Sequence, residues 1–144
     1  MEPLDLRIAP PRGPREQLAG IVFTARLVDK LRASLPGGEL NGYLPTNGFS
    51  ALWSYYTKID LGTLRETVAA AADEAEVVRW IEGRTQTINK PAINAKMERY
   101  DSSRTPDDMR PLFEGFYPAE LRERYPTIFD LLEADDARIY AIAP

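Results

Sequence analysis

The run Arg26-Leu27-Val28-Asp29-Lys30-Leu31-Arg32 places an acid three residues from an arginine on either side. Residues three apart share a helix face, so Asp29 is expected to meet both Arg26 and Arg32. Arginine presents a planar fork that grips a carboxylate or phosphate through two N–H donors. The chemistry this spacing suggests is anion binding, with Asp29 orienting the guanidinium groups and Lys30 adding charge. The alternative is an internal salt-bridge network that ties the helix to a neighbouring segment. Laid out at about 100° per residue, Leu18, Ile21, Val22, Ala25, Val28 and Leu35 form one broad apolar arc. Asp29 and Arg32 fall within it, while Arg26 and Lys30 flank it on the polar side. Charges on a core-facing arc cost free energy unless they are paired or open to a cleft.

Further candidates are fewer. Arg12-Gly13-Pro14-Arg15 stands at the expected start of the same helix, where free backbone N–H groups and the positive dipole end favour an anion. No glycine-rich phosphate loop accompanies it. Asp130, Glu133, Asp135 and Asp136 form an acidic patch, read either as a solvated helix end or as ligands for a hard cation. The chain has no histidine and no cysteine. It therefore lacks the commonest general base, the thiolate nucleophile and the usual transition-metal ligands. Ser34, Ser50, Ser54, Ser102 and Ser103 have no histidine to activate them, and no Ser-x-x-Lys motif occurs.

Composition narrows the classes further. The charged fraction is 28 % and the net charge −4. Residues 1–72 carry eight basic and seven acidic groups, and residues 73–144 carry ten and fifteen. An acidic chain without a basic block argues against nucleic acid as the main partner. No run of about 18 apolar residues is present to span a bilayer, and no signal-peptide core opens the sequence. A cytoplasmic location is the expectation, with no membrane partner and no cofactor.

The elements that must position these residues read as mainly helical. Residues 1–13 hold Pro3, Pro10, Pro11 and Gly13 and suggest an extended arm. Pro14 suits a first helical position, and Pro36-Gly37-Gly38 a stop. The intervening helix would run about 33 Å and serve as the central scaffold. A short strand is expected at Leu40–Leu44, pairing with Ile139–Ile142 as a two-stranded ribbon. Helices follow at Phe49–Thr57, at Leu61–Ala71 capped by Asp60, and at Asp73 to Gly83. Others are expected over Pro91–Tyr100, opened by Thr87 or Asn89, and at Asp107–Phe113, Pro118–Arg124 and Thr127–Ala134. The expected architecture is one domain over residues 1–144, an array of about six helices around the long N-terminal one. The aromatic clusters at Trp53, Tyr55, Tyr56 and Trp80, and from Phe113 to Phe129, read as core, or as a partner patch at Phe113–Pro118.

The N-terminal third resembles a family of small bacterial proteins, domain of unknown function 5069. The resemblance rests on Leu4-Asp5-Leu6, Pro10-Pro11-Arg12-Gly13-Pro14-Arg15, Leu18, Gly20, Arg26-Leu27-Val28-Asp29-Lys30, Arg32-Ala33 and Tyr43. Phe129-Asp130-Leu131-Leu132 with Asp135-Asp136 is similar to that family's closing segment, and Ile59-Asp60 and Val77–Trp80 fit its middle more loosely. After Tyr43, where family members often read Cys-Pro-Leu-Asp, this chain has Pro45-Thr46-Asn47-Gly48. The resemblance implies a compact helical protein and brings no reaction with it.

Three functions are compatible with these residues. The leading expectation is a binding module for an anionic small molecule or acidic protein segment. Its site residues are Arg26, Asp29, Lys30 and Arg32, with Arg12, Arg15 and Tyr43 beside them. The second is an enzyme using carboxylate or tyrosine chemistry with bound Mg²⁺, drawing on Asp29, Tyr43 or the acidic patch. The third is a structural or oligomerising protein.

Overall fold

Four helix starts follow the capping chemistry of the sequence. In the computed structural model, which describes residues 1–101 and 119–141, the side chains of Asp60, Asp73, Asn89 and Thr127 each accept a hydrogen bond from a backbone N–H in the first turn that follows. Such caps satisfy donors that have no intrahelical partner, each worth about 1 kcal/mol. The helices among the described residues are α1 (Thr24–Ala33), α2 (Phe49–Thr57), α3 (Leu61–Ala70), α4 (Glu74–Arg84), α5 (Lys90–Glu98), α6 (Ala119–Arg124) and α7 (Ile128–Tyr140). With one antiparallel ribbon, β1 (Gln17–Leu18) and β2 (Ile21–Val22), the architecture is mainly α, as expected.

The ribbon lies elsewhere than expected, and it shortens the scaffold helix. Gln17 pairs with Val22 and Leu18 with Ile21 around a two-residue turn at Ala19-Gly20. Both turn residues have positive φ, 54° and 76°, as the tight turns of twisted hairpins require. Gly20 adopts this conformation freely and Ala19 less so. Phe23, also at positive φ, ends the hairpin with its N–H donating to the Pro14 carbonyl at 2.7 Å. The helix therefore begins at Thr24 rather than Pro14. Leu40–Leu44 forms a turn through Asn41 and Gly42, and Ile139 and Tyr140 belong to α7. The expected helix at Asp107–Phe113 and the aromatic patch at Phe113–Pro118 lie outside the described residues.

Helix α1 is the hub. All its residues except Arg32 are buried, including those of its polar face. Leu27, Val28 and Leu31 pack with Trp53 of α2, Leu64 and Val68 of α3, Val77 and Ile81 of α4, Met97 of α5 and Phe129 of α7 in one core. Burying each such side chain stabilises the fold by roughly 1.5–3 kcal/mol. Trp53 lies wholly inside, and its indole N–H donates to Thr24 Oγ1 at 2.9 Å. Phe23, Phe49 and Phe129 pack ring against ring, with centroids 4.8–6.2 Å apart. No helix among the described residues is long and apolar enough to cross a membrane.

Candidate functional site

The arginine–aspartate ladder along α1 does not form. Asp29 turns to the N-terminal arm and accepts from Arg12 three times: from its backbone N–H at 2.8 Å, from Nε at 3.1 Å and from an Nη at 2.9 Å. The same guanidinium also contacts Glu74 at the start of α4. Burial pulls the Arg12 pKa down, yet the hydrogen bonds to Asp29 and Glu74 outweigh it and leave the group above its ordinary range. Arg26 goes to α7, where it grips Asp136 with two N–H···O bonds of 2.7 and 3.1 Å. It is 1 % exposed. Arg32 donates from Nε to the Glu2 carbonyl at 2.9 Å, far from the role expected of it. The i,i+3 spacing was compatible with a ladder, but partners on the arm and on α7 offer fork-to-carboxylate geometry that a helix neighbour does not.

The acidic patch is consumed in the same way. Asp130 and Glu133 both take Arg15, at 2.7 and 2.6 Å, Asp135 takes Arg138 at 2.6 Å, and Asp136 takes Arg26. Asp135 and Asp136 are buried, which corrects the reading of this segment as a solvated helix end. Tyr43 adds its hydroxyl to the Asp136 carboxylate at 2.6 Å, with its ring facing the Arg26 guanidinium at 5.4 Å. Burial first, and then the hydrogen bond to Asp136 and its charge, push the Tyr43 phenol well above its usual range. It is a fixed donor, not an acid–base group at neutral pH. Among the described residues no group of three acids is arranged to hold a metal ion.

Lys30 has a different environment. It sits one turn beyond Arg26 and was expected on the polar flank, but the loop 41–48 and α2 cover that flank, and it is only 6 % exposed. Its Nζ donates to the Leu44 carbonyl at 3.0 Å and to Ser50 Oγ at 2.9 Å, and lies 5.0 Å from the centre of the Phe23 ring. Both oxygens are neutral. An ammonium has three N–H donors, so one has no protein oxygen partner among the described residues. Burial pushes the Lys30 pKa down to about 7, with the charge of Arg26 lowering it further and that of Asp136 partly opposing.

This amine borders a pocket of about 300 Å³. Phe23, Arg26 and Lys30 form one wall, and Asn41, Tyr43, Leu44 and Asn47 of the following loop another. Helix α7 supplies Ile128, Leu132, Asp135 and Ile139, whose spacing puts them along one face. The loop can curl over the pocket because Asn41, Gly42 and Gly48 all take positive φ. The pocket is mostly apolar, with a few convergent polar groups, which is the usual character of a small-molecule site.

Of the expected site residues, Arg26, Lys30 and Tyr43 come together at this pocket. Asp29 and Arg12 pair with each other on the arm side, Arg15 pairs with α7 at Asp130 and Glu133, and Arg32 reaches the Glu2 carbonyl at the start of the arm. Ser50, Phe23 and Phe49 were not anticipated. Their only sequence signal was proximity to a helix start.

In the comparisons with known proteins, no curated protein matches this chain. One family model does match, over residues 8–138, that described as domain of unknown function (DUF5069). The match takes in the arm that reaches Asp29, the hub helix, the pocket loop and nearly all of α7, so the chain belongs to the DUF5069 family.

Proposed function

We propose that this protein binds a small anionic molecule with an apolar body in the pocket beside Lys30. The observation that supports the reading is the Lys30 amine, buried at a pocket wall with two neutral oxygens as its hydrogen-bond partners and no carboxylate in contact among the described residues. A buried charge without a counter-charge is costly, and an anion entering the pocket would supply one. Phe23, Phe49, Ile128 and Leu132 offer apolar surface for the remainder of the ligand. The anion thus belongs to Lys30 rather than to the Asp29 cluster, where each charge already has its partner.

The proposal is tested by thermal unfolding in the presence of benzoate, α-hydroxyisocaproate and inorganic phosphate. A ligand that binds only the native state must raise its stability, by about 2.7 kcal/mol at a hundredfold excess over Kd. The expected result is a rise in melting temperature with the two carboxylates that grows as pH falls through about 7, because the anion selects the protonated amine. Lys30→Met should abolish it. An equal shift in the folded Lys30→Met protein, or no shift with either carboxylate, overturns the reading.

A further inference from the structure

We infer that Lys30 is a nucleophilic lysine and that the ligand class it serves is an α-oxo acid, captured reversibly as an imine. The inference rests on the pocket reading above and adds a covalent step to it. Its geometric basis is that one nitrogen meets both needs of such a molecule. In an α-oxo acid the carbonyl carbon is bonded directly to the carboxylate, so the nitrogen that pairs with the anion is within reach of the electrophilic carbon. No second cation has to be placed.

The surroundings suit the step. The Ser50 hydroxyl, fully buried, can accept from the ammonium or donate to the lone pair of the neutral amine. The Leu44 carbonyl takes one N–H in either state. Neither oxygen carries a charge that would hold the proton in place, and the charge of Arg26, one helical turn away, opposes it, with Asp136 partly offsetting. Desolvation of this kind is a recognised way to make a lysine amine nucleophilic near neutral pH. Exposed Lys58 and Lys96 lack these conditions.

The chemistry balances without an oxidant or reductant. The neutral Nζ attacks the carbonyl carbon, the carbonyl π pair moves to oxygen, and proton transfer from nitrogen to oxygen gives a carbinolamine. Protonation of its hydroxyl and loss of water yield the iminium. Counted from the ammonium, amine plus ketone gives iminium plus one water, with no net proton. The iminium keeps a positive charge next to the substrate carboxylate, so the ion pair survives the step.

The experiment is reductive trapping of the full chain with α-ketoisocaproate and sodium cyanoborohydride at about pH 7, followed by peptide mass mapping. The expected result is a secondary amine at Lys30, formed at least about tenfold faster than at Lys58 or Lys96, since an ordinary lysine is less than about one part in a thousand neutral at this pH. The α-hydroxyisocaproate analogue, which has no carbonyl, should bind and protect Lys30 from capture. Adducts spread evenly over the lysines overturn the inference. So does protection of the fold by the hydroxy acid with no oxo-acid adduct at Lys30, and that outcome leaves the binding reading intact. If neither acid shifts unfolding and no adduct forms, both readings fall.

Discussion

Arg26 and Lys30 are one helical turn apart on α1, both buried, and the chain treats them in opposite ways. Arg26 meets Asp136 fork to carboxylate, with Tyr43 completing the acid's shell. Lys30 meets a backbone carbonyl and a serine hydroxyl. On the Arg26 side and along the arm, each charge is offset within the protein. At Lys30 the charge is left to the pocket. Paired, a buried cation joins distant segments; with no carboxylate in contact among the described residues, it bears the desolvation cost of its charge.

The sharpest way to break the contrast is to make Arg26 resemble Lys30. Asp136→Ala takes from the buried Arg26 guanidinium the carboxylate it grips and strips Tyr43 of its acceptor. Removing one member of a buried pair typically costs about 3–5 kcal/mol, so the urea midpoint should fall sharply with little change in slope. A loss below about 1 kcal/mol would show that the pair is not the clasp described above.

The reverse change has the opposite sign. Below about pH 7, Lys30 is protonated at a desolvation cost, so Lys30→Met should stabilise the protein there by about 1–4 kcal/mol. With a native pKa of about 7 against an ordinary 10.5, the folded chain binds fewer protons than the unfolded chain between those values. Stability from this group therefore rises with pH across that window and is lost as pH falls through 7. The gap between mutant and parent should close as pH approaches about 10, as read by denaturation at several pH values. A constant gap would contradict the assignment.

Arg15 sets the baseline. Its pairs with Asp130 and Glu133 are short, but all three side chains are 40–45 % exposed. Solvent and salt screen such contacts, and Arg15→Ala should cost less than about 1 kcal/mol in the same assay.

Helix content was legible where local chemistry decides it. Asp60, Asp73, Asn89 and Thr127 open helices because a side-chain oxygen can reach a free N–H a few residues on, and that is written in a four-residue window. The start of α1 was not legible, since the periodic apolar residues Leu18, Ile21 and Val22 serve a hairpin as well as a helix. Gly20 was the signal, and it was outweighed by the pattern around it. The candidate site was half legible. Arg26, Asp29, Lys30 and Tyr43 stand out by type, but which acid each cation meets depends on α7 and the arm. Those contacts join residues 17 and 110 positions apart, and no local spacing encodes them. Lys30 gave the least notice, because its burial comes from a loop folding over it.

The Arg26–Asp136 clasp also bears on time. It closes a loop of 110 residues, and Arg15–Asp130 one of 115. Such closures draw together the far parts of the chain at an entropic cost, and we expect side-chain pairs of this kind to lock after the core has docked, on the late side of folding. A contact absent from the transition state leaves the folding rate nearly unchanged and slows escape from the native state. In a chevron plot the Asp136→Ala loss should therefore fall on the unfolding limb. The clasp would then set how long each folded molecule lasts, and how long the walls of the Lys30 pocket stay together once they have met.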